Sequence, residues 1–152
     1  MSYETVIKVF AFTGYKLKLA VLVNMLKKET DADFYECSSV VLELYLDGLI
    51  TYKRGVKPGQ DPKDQPKRTG DLNNNIILRK IKIALGLKDF EVVEILELAD
   101  FKVAKSEVNA LFQRPTHHNY QECGDQLLRN FLVGLTEKLR QVYKRKETYN
   151  KK

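Results

Sequence analysis

Tryptophan is absent from this 152-residue chain, and cysteine and histidine occur only twice each. A complete metal site needs three or four ligands at defined spacing, so His117, His118 and Cys123 do not define one. No metal and no other cofactor is expected, and the histidines are read as loop residues. Missing too are a phosphate-cradling glycine loop, a Gly-x-Ser-x-Gly elbow and a paired-carboxylate signature. The N-terminus, Met1-Ser2-Tyr3-Glu4, has no basic stretch and no cleavage site, so no leader peptide is expected. The longest nearly uncharged run, residues 19–25, is far below the roughly 20 residues of a membrane span. Cys37 and Cys123 are far apart and occupy equivalent positions of an internal repeat described below. They read as free thiols in a reducing compartment, and the protein as cytoplasmic.

What the chain has is charge, unevenly placed. Its formal net charge is +6. Residues 53–71 hold six basic and three acidic side chains, and residues 138–152 hold seven and one. The other residues hold thirteen basic and sixteen acidic groups, a net of −3. Positive charge therefore belongs to a connector and a tail. The plain reading is that it keeps these segments solvated. The alternative is a sequence-independent attraction to nucleic acid or another anionic surface.

The chain also repeats itself. Shifted by 86 residues, segment 6–54 lies over 92–140 without a gap. Identical pairs are Val6/Val92, Lys16/Lys102, Thr30/Thr116, Glu36/Glu122, Cys37/Cys123, Leu42/Leu128, Leu46/Leu132, Gly48/Gly134, Leu49/Leu135 and Arg54/Arg140. Tyr15/Phe101, Phe34/Tyr120 and Tyr45/Phe131 are similar pairs. Between the copies, residues 55–70 contain three of the four prolines and three glycines, a loop composition.

Periodicity makes each copy helical. In the second, Asn73, Asn74 and Asn75 are N-cap candidates for a helix over 76–87. Ile77, Ile81, Ala84 and Leu85 form its apolar stripe. Asp89 is positioned to cap a helix over 90–99, with Val93, Leu96 and Leu98 inward. A turn at 100–103 leads to a third helix over 104–114, with Val108, Leu111 and Phe112 buried and Pro115 as terminator. The last helix spans about 123–143, and Leu128, Phe131, Leu132, Leu135, Leu139 and Val142 share one face. The expected fold is all-α, two tandem pseudo-symmetric helical repeats. The parts are a first repeat over 1–54, a basic linker over 55–71, a second repeat over 72–146 and a basic tail over 147–152.

Two repeated details call for structural reasons. Glycine inside a helix costs about 0.5–1 kcal/mol relative to alanine, so Gly48 and Gly134 predict a second backbone passing close by. Glu36-Cys37 and Glu122-Cys123 stand at the start of the last helix of each copy, where free N–H groups favour an acceptor or a negative charge. A capping role for both glutamates and a buried structural role for both cysteines follow. A thiol there could be activated, but no His or Lys partner recurs beside the two cysteines.

The runs Asn73-Asn74-Asn75-Ile76-Ile77-Leu78-Arg79 and Tyr120-Gln121-Glu122-Cys123-Gly124-Asp125-Gln126-Leu127-Leu128-Arg129-Asn130-Phe131-Leu132, followed by Gly134-Leu135, are distinctive. They resemble the YehS-like family of bacterial proteins, a domain of unknown function. The resemblance covers nearly the whole chain and is strongest over 72–140. It implies a tandem pair of helical units and brings no functional residues with it. In that pattern the first copy also opens with an Asn-rich helix. The 86-residue shift places its equivalent before Met1, so the first repeat is expected to lack its leading helix. That absence, with the apolar run Leu17-Lys18-Leu19-Ala20-Val21-Leu22-Val23, predicts an apolar surface covered by the second copy, another chain or self-association.

Segment 92–112 has helix–turn–helix character, with Lys102, Lys105, Ser106, Asn109 and Gln113 exposed on its second helix. Lys144, Arg145 and Lys146 would add phosphate contacts. Against DNA reading, Glu107 lies among these residues, and the preceding helix carries Glu91, Glu94 and Glu97. The favoured expectation is a non-enzymatic binding or adaptor protein with an unidentified protein partner. A nucleic-acid-binding protein is the alternative, and an enzyme using Cys123 and Glu122 is the weakest reading.

Overall fold

The computed structural model describes residues 1–60 and 67–151. Seven helices and no strand occur among them: α1 (Tyr3–Ala11), α2 (Leu19–Met25), α3 (Ser39–Arg54), α4 (Asn74–Leu85), α5 (Asp89–Glu97), α6 (Lys105–Leu111) and α7 (Asp125–Asn150). The 86-residue offset carries α1 onto α5 and α2 onto α6 at both ends, and α3 onto α7 at its start. The all-α tandem repeat is thus written in the helix boundaries themselves. The chain divides into two compact units, Met1–Asn73 with Ile83–Leu85, and Asn74–Lys82 with Gly86–Lys152. No described residue in the first unit stands where the offset would place α4.

In the first unit α1 crosses α3. Val9, Leu49 and Ala84 form one buried cluster, flanked by Tyr45 and Ile50. Phe10, Leu17 and Leu22 form another, joined by Val21, Met25 and Leu44. The apolar run of the first copy is therefore partly consumed by its own core. Leu17 and Leu22 point inward, and Leu19 and Leu26 remain exposed.

Gly48 sits where α3 meets α1: a Cβ there would overlap the Val9 carbonyl oxygen. In the second unit α5 crosses α7 in the same way, and a Cβ on Gly134 would overlap the Ile95 carbonyl oxygen. Val9 and Ile95 are themselves an 86-residue pair. The close backbone approach read from the recurring glycines is present at both crossings, and only a residue without a side chain fits it. Around the second crossing Leu78, Val92, Ile95, Leu96, Val108, Leu111 and Phe131 are buried almost completely.

Several boundaries and faces differ from the sequence reading. Leu98, expected inward, is exposed, because α5 turns Val92, Ile95 and Leu96 to the core. The third helix of the second unit stops at Leu111 rather than 114. Pro115 disfavours helical backbone at the residue before it, so the last turn does not form. Asp89 does not cap α5 but opens it, while Lys88 holds the cap position and its N–H donates to the Glu91 carboxylate at 2.7 Å.

The longest difference is at α7, which continues to Asn150 instead of ending near Tyr143. Residues 147–150, set apart in the sequence as tail, belong to this helix. The reason lies in one pair of positions. Gly55 follows α3 with φ of 83°, the left-handed conformation that closes a helix. Its equivalent is Gln141, which simply continues α7. The left-handed turn Gly14 (φ 74°) has Asp100 (φ 56°) as its equivalent.

Part of the connector is anchored. Arg68, whose side chain is only 8% exposed, pairs with Asp47 of α3 at 2.9 Å. The Gly70 N–H donates to Glu43 at 3.1 Å. The basic connector was read as solvated, but at Arg68 it is held by a partly buried ion pair.

Candidate functional site

Asn75 organises the region around Cys123. It lies in the first turn of α4 and is buried. Its amide donates to the carbonyls of Leu111 at 3.0 Å and Gln121 at 2.9 Å. Its carbonyl oxygen accepts the Cys123 N–H at 2.8 Å. Beside it, Asn74 donates to the Cys123 carbonyl at 3.0 Å and to Asp125 at 2.7 Å. These asparagines were read as helix caps, but Asn75 instead satisfies backbone groups that leave α6 and enter α7. Buried groups of this kind cost about 1–3 kcal/mol each when left unpaired.

The two cysteines share one local feature: each thiol lies close to the next residue's carbonyl, Cys37 to Ser38 at 3.7 Å and Cys123 to Gly124 at 3.6 Å. They differ in covering. Cys123 is buried and Cys37 exposed, so a buried role for both is corrected. The asparagine that accepts the Cys123 N–H has no equivalent among the described residues of the first unit. Burial raises the Cys123 thiol and the Asp125 charge raises it further, while the Cys37 thiol is raised by partial desolvation alone, although the residue as a whole is exposed. Both shifts oppose thiolate formation and so nucleophilic use.

The glutamates do not cap. Ser38 is the N-cap of α3, and its hydroxyl accepts the Val41 N–H at 3.3 Å. Gly124 is the N-cap of α7, without a side-chain bond. Glu36 and Glu122 stand two residues before those caps, both exposed.

Asp89 has two side-chain partners in the second unit. Lys82 pairs with it at 2.8 Å and Asn109 donates to it at 3.2 Å. Hydrogen bonding to Lys82 is the main cause that holds its pKa below the usual aspartate value, against a partial burial that raises it. Lys82 also lies over the Phe112 ring, 4.3 Å from its centre.

Of the residues proposed for nucleic acid, Lys105, Ser106 and Asn109 line one open groove of about 910 Å³. Glu107 and Glu122 line it as well. One cation faces two carboxylates, which is poor electrostatics for phosphate. The Asn109 side chain is held internally, donating to Asp89 and accepting from Gln113 at 2.7 Å. Lys102 precedes α6 and is exposed but does not line the groove. Lys144, Arg145 and Lys146 lie outside it, on the exposed end of α7. The His117 and His118 rings stack 4.5 Å apart on the surface. Among the described residues no group of three or more His, Cys, Asp or Glu is placed to hold a metal ion. No helix among them is long and apolar enough to cross a membrane.

A further asymmetry lies on α3 and α7. Leu46 is 3% exposed and its equivalent Leu132 is 43% exposed. Val133, Leu139, Val142 and Tyr143 are exposed too. Sequence spacing placed Leu132, Leu139 and Val142 on one face but not the fact that this face is open. The connector's anchors on α3, Glu43 and Asp47, are replaced on α7 by Arg129 and Val133.

The chain is a helical tandem repeat built on two glycine crossings, with asparagine ties at the start of its second copy. It belongs to the family described as "Protein of unknown function (DUF1456)", whose model matches residues 1–55 and 74–141. It is similar to "Uncharacterized protein YehS" of Escherichia coli (strain K12), with 38% identity over 129 residues, covering 85% of this chain and 81% of that protein. No solved structure matches.

Proposed function

We infer that the chain is a non-enzymatic, cytoplasmic adaptor that binds a protein partner through a helical surface. The observation that carries this reading is the exposed apolar face of α7, from Leu132 to Val142 and Tyr143. Contiguous exposed apolar surface on a soluble fold is the usual mark of an interface. The chemistry beside it favours binding over catalysis. Cys123 is buried with a raised pKa, and Asp89 is committed to Lys82 and Asn109.

Nucleic acid is the second reading, supported by Lys144, Arg145 and Lys146 on the same exposed helix. Affinity purification of the tagged chain from its native cells separates the two. A stoichiometric protein partner that survives nuclease supports the adaptor. Recovery of nucleic acid alone, lost on deleting residues 144–152 and on raising salt, replaces it with the second reading.

A further inference from the structure

The face of α7 has a regular step. From Leu132 apolar positions advance by three, four and three residues through Leu135 and Leu139 to Val142, and the same step then reaches Lys146 and Tyr149. That alternation is the seam of a coiled coil, in which two positions per heptad meet a partner helix. Within the described residues Leu135 of this seam is partly buried, but its other positions are open. Leu132, Leu139, Val142 and Tyr149 are exposed, Leu139 to 46%. α5 contacts α7 around Gly134, where the close approach is made, and the ten residues beyond Arg140 have no equivalent in α3.

Charge selects the occupant. The positions flanking a coiled-coil seam set partner choice through ion pairs. On α7 the charged flanking residues are Arg129, Lys138 and Arg145, with no acidic residue among the flanking positions from 129 to 146. A basic residue, Lys146, also occupies the seam itself. Two copies joined antiparallel here would set Lys138 and Arg145 against their own counterparts, and two copies in parallel would set Lys146 against Lys146 in the seam, with Lys138 and Arg145 facing the uncharged Tyr143 and Asn150. A helix with acidic flanks meets this face with complementary charge, and a carboxylate can pair with Lys146.

We propose that α7 docks an amphipathic helix of another protein, apolar at the seam and flanked by Asp or Glu, as one strand of a two-helix coiled coil. This deepens the adaptor reading and rests on it.

Two synthetic three-heptad peptides with the same Leu/Ile seam, one with Glu flanks and one with Lys flanks, test it against the full chain by fluorescence anisotropy. The Glu-flanked peptide should bind at least roughly tenfold more tightly. Leu139→Ser with Val142→Ser should abolish that binding and leave the thermal melt in place, since both residues are exposed. Lys138→Glu with Arg145→Glu should reverse the peptide preference. Equal affinity for both peptides, or binding to neither, overturns the proposal. So does a dimer in sedimentation equilibrium that the double serine variant dissolves, which would make a second copy the occupant. Competition by a random DNA duplex that the serine variant still binds overturns it in favour of nucleic acid. If the serine variant recovers the same nuclease-resistant partner from cells, the seam fails and the adaptor reading survives. If neither form recovers a protein, both fail.

Discussion

Val9 over Gly48 and Ile95 over Gly134 are the same contact built twice, whereas Leu46 and Leu132 are the same residue in opposite surroundings. The comparison separates what holds a unit together from what lies on it. A backbone crossing leaves no freedom of choice, because any side chain at the glycine strikes a carbonyl. Covering is free to differ, and it differs at the connector, at Cys37 and Cys123, and along α7.

Breaking both crossings alike is the strongest way to attack that comparison. Gly134→Ala and Gly48→Ala should each destabilise their unit by more than about 3 kcal/mol, since overpacking against backbone outweighs the helix propensity gained. Urea denaturation should show similar losses for the two. Tolerance at only one would mean the crossings are not equivalent.

Asn75→Ala should come next, with a loss of about 2–3 kcal/mol from the second unit. It removes three hydrogen bonds that have no equivalent among the described residues of the first. Hydrogen exchange should speed up at amides of residues 111–123, the Cys123 N–H among them, and not change around Val9.

A smaller effect belongs to Asp89. Its folded pKa is depressed, so its stabilising contribution is present above the ordinary aspartate range and fades as pH falls through the folded value. Asp89→Asn should therefore lower the melting temperature at neutral pH, and the gap to the parent should close in acid. A gap that widened in acid would contradict the assigned direction.

The smallest expected effect is at the helix caps. Ser38→Ala should cost about 1 kcal/mol, and Gly124→Ser, which copies the first unit's cap into the second, should gain a few tenths. Thermal melts of the two variants check the sign.

Much of this architecture was legible in residue spacing. One offset located six of the seven helices, and two glycines in mid-helix announced the crossings, because both signals are local and forced by geometry. Asn75 was not legible. Three asparagines before an apolar run look like caps, and the groups Asn75 serves lie 36 to 48 residues away. Composition hid Arg68 for a different reason: a basic, proline-containing stretch reads as solvated, yet a single arginine there meets Asp47. For α7 the spacing of Leu132, Leu139 and Val142 defined a face, but periodicity is the same whether that face is covered or open. Its length was obscured because the decisive residue is the one that is missing, a glycine at 141.

Equal scaffolds under unequal cover can be read directly from the two thiols. Mass-spectrometric labelling of the native protein should modify Cys37 roughly 100-fold faster than Cys123, and Asn75→Ala should bring the two rates together. Equal rates in the unaltered protein, or a Cys123 rate indifferent to Asn75, would contradict the view that the halves share a frame and differ in what closes over it.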